Sequence, residues 1–260
     1  MITRLKVRHG AGLVLVCALV AGCRVGVDTG VAVERGGSGS ITVVVTADDA
    51  TRDALARGGL GTFGESLFGS SPQRALPAGS GGGDAFADLR DAGWQVDAVA
   101  GGVRVRRDFA AGEDLGPALA ALGGGDVDLS PVQALSVSAG GGFPKDEVTV
   151  SGRVGLSEDA IVELATRSGA GAGANPPTRA EIEDVLGQAV TSLVSVRFHL
   201  DLPGSIGDVD ADPAPLSADD LTWDLPGGRV LDFTAASSYW NSAVVWTFVV
   251  VAVLVVAAAA

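Results

Sequence analysis

Cysteine, histidine and basic residues are scarce in this 260-residue chain, which has two Cys, two His and 18 Lys plus Arg against 31 Asp plus Glu. Each scarcity excludes something. With a net charge of −13, no basic face is available to neutralise phosphates, which argues against a nucleic-acid binder. A His-based triad or metal site would have to use His199, because His9 lies in an N-terminal segment that reads as removed on export. No G-x-S-x-G elbow occurs, which weakens an α/β-hydrolase reading. The chain is nevertheless 47% apolar, too hydrophobic to be disordered along its whole length. Its length allows one or two domains of ordinary size.

The apolar residues concentrate at the two ends. Residues 1–23 contain no acid, and Thr247 is the single polar residue in 243–260. All 31 acids lie between them, with all cations except Arg4, Lys6 and Arg8, so the segment 24–242 carries −16. The chain therefore divides into an N-terminal signal (1–22), an acidic body (23–238) and an apolar C-terminal segment (239–260).

In the first of these, Arg4, Lys6 and Arg8 form a cationic start, and 11–21 (AGLVLVCALVA) is an apolar run too short to span and stay. It ends on Val20, Ala21, Gly22 and Cys23. That ending resembles the lipobox of bacterial lipoproteins, in which small side chains expose the backbone to the processing enzymes and the Cys thiol takes a diacylglyceryl group. Cys17 would leave with the signal and Cys23 would be acylated, so no thiol remains for a disulfide, a metal or catalysis. At the other end, 243–260 would rise about 27 Å as a helix, close to a hydrocarbon core. Tyr239, Trp240 and Trp246 stand at its upstream edge, where amphipathic rings sit at headgroups. A transmembrane helix is the expectation.

The acidic body reads as hairpins with short helices between them. Val25, Val27, Val31 and Val33 alternate with smaller or polar residues, and Gly36-Gly37-Ser38-Gly39 turns into Ile41, Val43 and Val45. Residues 94–99 and 103–109 alternate around Gly101-Gly102 as a second hairpin. Further strands are expected at 133–139, 147–156, 194–202, 221–225 and 230–235. Helices are expected at 49–57 after Asp48, after Asp84 with Phe86 and Leu89 up to Gly93, and at 115–122, 158–167 and 179–193. Hairpin-joined strands with interposed helices imply an α+β fold, with antiparallel β-hairpins or sheet and several short helices rather than a parallel βαβ sheet.

The chain resembles the LppM-like lipoproteins of actinobacteria. The resemblance rests on the lipobox, the hairpin VGVDTGVAVERGGSGSITVVVTAD, the unit WQVDAVAGGVRVRRDF, and Phe198-His199-Leu200-Asp201-Leu202-Pro203-Gly204 followed by Leu221-Thr222-Trp223. Two elements of the family pattern differ: no basic tail follows the apolar end, and an Asp-rich loop replaces the Asn-Gly turn after Pro203-Gly204. The resemblance implies a non-enzymatic cell-envelope lipoprotein that contacts membrane lipids or glycolipids, and it supplies no catalytic residues.

Other candidate residues have plainer readings. On the 194–202 strand, Ser195, Arg197, His199 and Asp201 share the polar face, which makes His199 a solvated strand residue. Residues 59–64 match G-x-G-x-x-G but follow an expected helix, so they read as a flexible loop. Phe63, Leu67 and Phe68 in that region are candidates for the lip of an apolar groove. Asp208, Asp210, Asp212 and Asp219 have calcium-loop spacing, but Pro213 replaces the required Gly and Asp219 is shorter than the usual Glu. They are a weak calcium candidate, better read as a solvated acidic loop, and neither metal nor cofactor is expected.

These observations converge on an extracytoplasmic ectodomain held to the cell membrane by an N-terminal lipid and a C-terminal helix. Its partners would be the bilayer, a lipid or glycolipid ligand, or an envelope protein. A tethered protein-interaction scaffold is the alternative. An anchored hydrolase would need His199 beside a Ser and a carboxylate.

Overall fold

The structure, a computed structural model, describes residues 25–49, 86–123, 130–142, 144–160, 194–217 and 220–259. The opening alternation forms β1 (Val25–Val33) and β2 (Gly39–Ala47), paired antiparallel from Val25 opposite Ala47 to Val33 opposite Gly39. Their turn closes with the Glu34 N–H donating to the Ser38 carbonyl at 2.7 Å. Gly36 and Gly37 take φ of 94° and 90° there, a region that only glycine enters without strain. The second hairpin is β3 (Gln95–Val99) and β4 (Gly102–Phe109). Helix α1 (Ala87–Asp91) precedes it and α2 (Gly116–Gly123) follows. Trp94 is buried between them, its indole N–H donating to the Ala118 carbonyl at 3.0 Å.

The remaining strands are β5 (Val132–Gly140), β6 (Lys145–Gly155), β7 (Val194–Asp201), β8 (Ser205–Ala211), β9 (Leu221–Pro226) and β10 (Val230–Trp240). Six form a sheet in the order β3-β4-β2-β1-β7-β9, and four form a second in the order β5-β6-β10-β8. The inner faces of both contribute to one core. Phe198 of β7 and Trp223 of β9 stack at 5.4 Å between centroids, and Phe233 of β10 meets them at 5.0 and 6.0 Å. Such aromatic contacts add about 0.5–1.5 kcal/mol each beyond area burial. This cluster joins the two sheets.

Three expectations are corrected. The fold is mostly β, two sheets sharing a core, rather than α+β. Most of the helices expected at 49–57, 158–167 and 179–193 lie outside the described residues, as does Asp84, and the N-terminus of α1 carries no side-chain cap. Second, the large sheet is not purely antiparallel, since β1 and β7 pair in parallel from Val25 opposite Val194 to Ala32 opposite Asp201. Both strands bury one face, and the long intervening chain allows β7 to return alongside β1 in the same direction. Third, the apolar C-terminal segment forms α3 (Ser242–Ala259). No helix among the described residues is long and apolar enough to cross a membrane. Its 18 residues lie at the short end of the roughly 17–25 that a crossing takes, and the expected transmembrane helix is not supported.

Strand β10 also runs further than its apolar alternation indicates. It continues through Ser237 to Trp240 because β6 on one side and β8 on the other pair with it beyond Ala235. The boundary expected at 239 therefore falls inside a strand.

Candidate functional site

Two open grooves mark opposite ends of β1. The first forms where β10 passes into α3, and its volume is about 340 Å³. Register explains its chemistry. Lys145 opens β6 directly opposite Trp240, and its Nζ lies 5.4 Å from the Trp240 ring centroid. The β1–β2 turn carries Arg35 to 5.4 Å over the Tyr239 ring, and the Gly36 N–H donates to the Tyr239 hydroxyl at 3.0 Å. Each cation thus faces a π surface, an attraction of about 0.5–1 kcal/mol at exposed sites. Gly204, Ser205, Ser238 and Ser242 complete the polar lining, and Val245 and Trp246 of α3 supply an apolar lip.

Backbone demands hold this groove in shape. Gly204 has φ of 88°, and a Cβ placed there would sit 2.4 Å from the Ser238 carbonyl oxygen, so only glycine lets the β7–β8 turn pass so close to β10. Asn241 sets the departure of α3. Its Oδ1 accepts from the N–H groups of Ala243 (3.1 Å) and Val244 (3.3 Å), while its Nδ2 donates to Asp146 Oδ1 at 3.1 Å. One side chain therefore caps the helix and ties it to the start of β6.

The second groove, about 570 Å³, lies where β1 begins. Gly26 and Asp28 of β1, Thr46 of β2, Ser195 and Arg197 of β7, and Asp224 of β9 line it. Arg197 and Asp224 are cross-strand partners joined at 2.8 Å, both well exposed. The Asp224 hydrogen bond and charge, with a smaller push from Asp28, raise the Arg197 pKa above its ordinary value. The one cation here is spent on carboxylates. In the first groove the charged lining consists of Arg35 and Lys145 with no carboxylate, although the chain holds 31 acids.

The residues singled out by sequence fall as follows. Val20, Ala21, Gly22, Cys23, Phe63, Leu67, Phe68 and Asp219 lie outside the described residues, as does the 59–64 glycine run. Asp208 and Asp210 are on β8, and Asp212 follows it, all exposed. The expected acidic loop is thus largely a strand, because β10 offers it a pairing edge. No cluster of three or more potential metal ligands occurs among the described residues. His199 is on the exposed face of β7, its neighbours Val196, Phe198 and Leu200 buried on the other. Its Nδ1 lies 3.0 Å from both Thr222 Oγ1 and Asp220 Oδ1, and the Thr222 hydroxyl donates to Asp220 at 2.9 Å. The hydroxyl beside His199 is therefore a threonine already engaged by the carboxylate.

Sequence reasoning picked out Tyr239, Trp240 and Trp246 as ring anchors but missed Arg35, Lys145 and Asn241. Gly36 and Tyr239, which bring Arg35 to the groove, are 203 positions apart, and no local motif connects such residues.

No family model and no curated protein sequence matches the chain. Among solved structures, the NMR structure of the folded domain of LppM from Mycobacterium tuberculosis aligns with 86% of this chain and 94% of that one, at 10% identity and a TM-score of 0.40. No residue role follows from that likeness.

Proposed function

We propose that this chain is an envelope lipoprotein, held to the membrane by acyl chains on Cys23, whose β-sheet ectodomain is a binding protein for a lipid or glycolipid rather than an enzyme. The observation that carries the ligand half is the groove in which Arg35 and Lys145 lie on Tyr239 and Trp240 beside the apolar lip of Val245 and Trp246. A polar head and an apolar tail find complementary surface there side by side. The lipobox ending at Cys23 supports the anchor half.

The test is purification of the full chain from membranes, with mass spectrometry of both the N-terminal peptide and the organic extract. The expected result is a diacylglyceryl group on Cys23 and a lipid enriched over a control membrane protein. An unmodified Cys23 would overturn the anchor, and an extract matching the control would overturn the ligand.

A second reading, a tethered protein-interaction scaffold, draws on α3. Trp246, Phe248 and Leu254 there are 67%, 57% and 63% exposed, an apolar surface of the kind that partners cover. Crosslinking to a specific envelope protein, with no lipid in the extract, would favour it.

A further inference from the structure

The two grooves are separated by the length of β1. Strand β1 starts at Val25, beside the second groove, and ends at Val33, two residues before Arg35 of the first. Nine residues at about 3.3 Å each span close to 30 Å. Cys23 is two residues before Val25 in the sequence, and two residues span no more than about 8 Å of chain. Strand β7, parallel to β1, and β10, whose Ser238 pairs with Ser205, bring the start of α3 to the far end. Val25, two positions after Cys23 in the sequence, and the cation–aromatic groove therefore stand at opposite ends of β1.

We propose that the Arg35–Lys145 groove docks on the anionic phosphate headgroups of a bilayer other than the one holding the Cys23 acyl chains, so that the ectodomain bridges two lipid surfaces. This rests on Cys23 acylation and lipid binding as proposed above, and adds the ligand's charge and the direction from which it arrives. Charge complementarity selects the occupant. A body with an excess of acids is repelled by anionic headgroups everywhere except where its cations stand without carboxylates, and the first groove is such a place. Among the described residues neither Arg35 nor Lys145 forms an ion pair. Trp240, 59% exposed, and Trp246 offer rings that settle at headgroup depth.

The experiment places the full-length acylated protein in phosphatidylcholine vesicles, checks by flotation that it is anchored, and adds acceptor vesicles of phosphatidylcholine with or without phosphatidylglycerol. Light scattering reads clustering. Clustering is expected with the anionic acceptors alone, and is expected to weaken as salt rises and shortens the Debye length from ~8 Å at physiological ionic strength to ~3 Å at 1 M. Each basic side chain near an anionic surface is worth about fivefold in partitioning, so R35Q/K145Q should lower clustering roughly 25-fold. The more conservative R35K/K145R pair should retain it, which separates lost charge from lost fold. Failure of flotation overturns the lipid anchor of the previous section. Successful flotation without clustering, or clustering unchanged in R35Q/K145Q, overturns only the bridging inference. Binding of inorganic phosphate that is lost in R35Q/K145Q, with no clustering of the anionic acceptors, would assign the groove to a free anion and also overturn it.

Discussion

The grooves at the two ends of β1 use scarce cations in opposite ways. At the Val25 end, Arg197 lies between Asp224 and Asp28, and its charge is matched within the sheet surface. At the Arg35 end, Arg35 and Lys145 lie over rings, which attract a cation without cancelling its charge. The first arrangement leaves little field for a ligand, whereas the second leaves a positive field in an otherwise acidic body. Counting cations separates the grooves only as two against one. What their partners do to the charge separates them.

Five substitutions and one pH series break or sharpen this contrast. The largest effect belongs to Trp223→Ala, which removes one of the two rings of the large sheet that meet Phe233 of the other. A loss of about 3–5 kcal/mol is expected in denaturant unfolding, with both grooves affected because the sheets that set their separation loosen. Next is the contrast between two glycines. Gly204→Ala at the first groove forces a positive φ on alanine and drives its Cβ against the Ser238 carbonyl, for a loss of at least about 2 kcal/mol. Gly26→Ala at the second meets only the Thr46 hydroxyl at 3.1 Å. Its effect should stay within about 1 kcal/mol, and equal losses at the two sites would sink the claim that the first groove is the conformationally demanding one.

Asn241→Ala should cost about 1 kcal/mol through loss of the α3 cap. It should lower acceptor-vesicle binding without altering the second groove, as read by nuclear magnetic resonance shifts of Ser195 and Thr46. A comparable term, of about 0.5–1.5 kcal/mol, comes from Glu113, which accepts from the Ala110 N–H at 2.8 Å and pairs with Arg107 at 2.6 Å. The Ala110 hydrogen bond holds the Glu113 pKa below its ordinary value, with burial opposing it and the charge and hydrogen bond of Arg107 adding smaller downward pushes. A depressed carboxylate pKa contributes stability above the unfolded value, about 4.3, and loses it as pH falls through the folded value. The melting-temperature gap between wild type and Glu113→Gln should therefore be full at pH 7 and close in strong acid. The smallest effect is expected of Arg197→Gln, since an exposed ion pair contributes about 0–1 kcal/mol. Vesicle clustering should be unchanged by it. A fall comparable to that of R35Q/K145Q would show that the grooves do not differ as described.

The legible parts of the fold are those written in neighbouring residues. The Val25–Val45 hairpin, the Gly101–Gly102 turn and the inward set Val196, Phe198 and Leu200 all follow from period-two alternation and turn glycines. The Asp208–Asp212 stretch was misread because a polar edge strand has no apolar alternation of its own. It becomes β8 only because β10 supplies backbone partners. The apolar end was legible as a helix, but no helix among the described residues is long and apolar enough to cross a membrane. Of the candidate groove, the rings at Tyr239, Trp240 and Trp246 stood out in the sequence, while their cations did not.

By itself, then, the sequence determined which face of each regular strand is buried, the acidity of the body, the scarcity of thiols and the cationic, apolar start ending at Cys23. These depend on residue type and spacing over a few positions. Tertiary structure alone decided that β7 returns parallel to β1, that β10 extends to Trp240, and that Arg35 and Lys145 arrive over Tyr239 and Trp240 at the pole remote from Val25. Such meetings depend on strand pairing between distant segments, where backbone groups that any residue can supply select the register through the burial of whole faces.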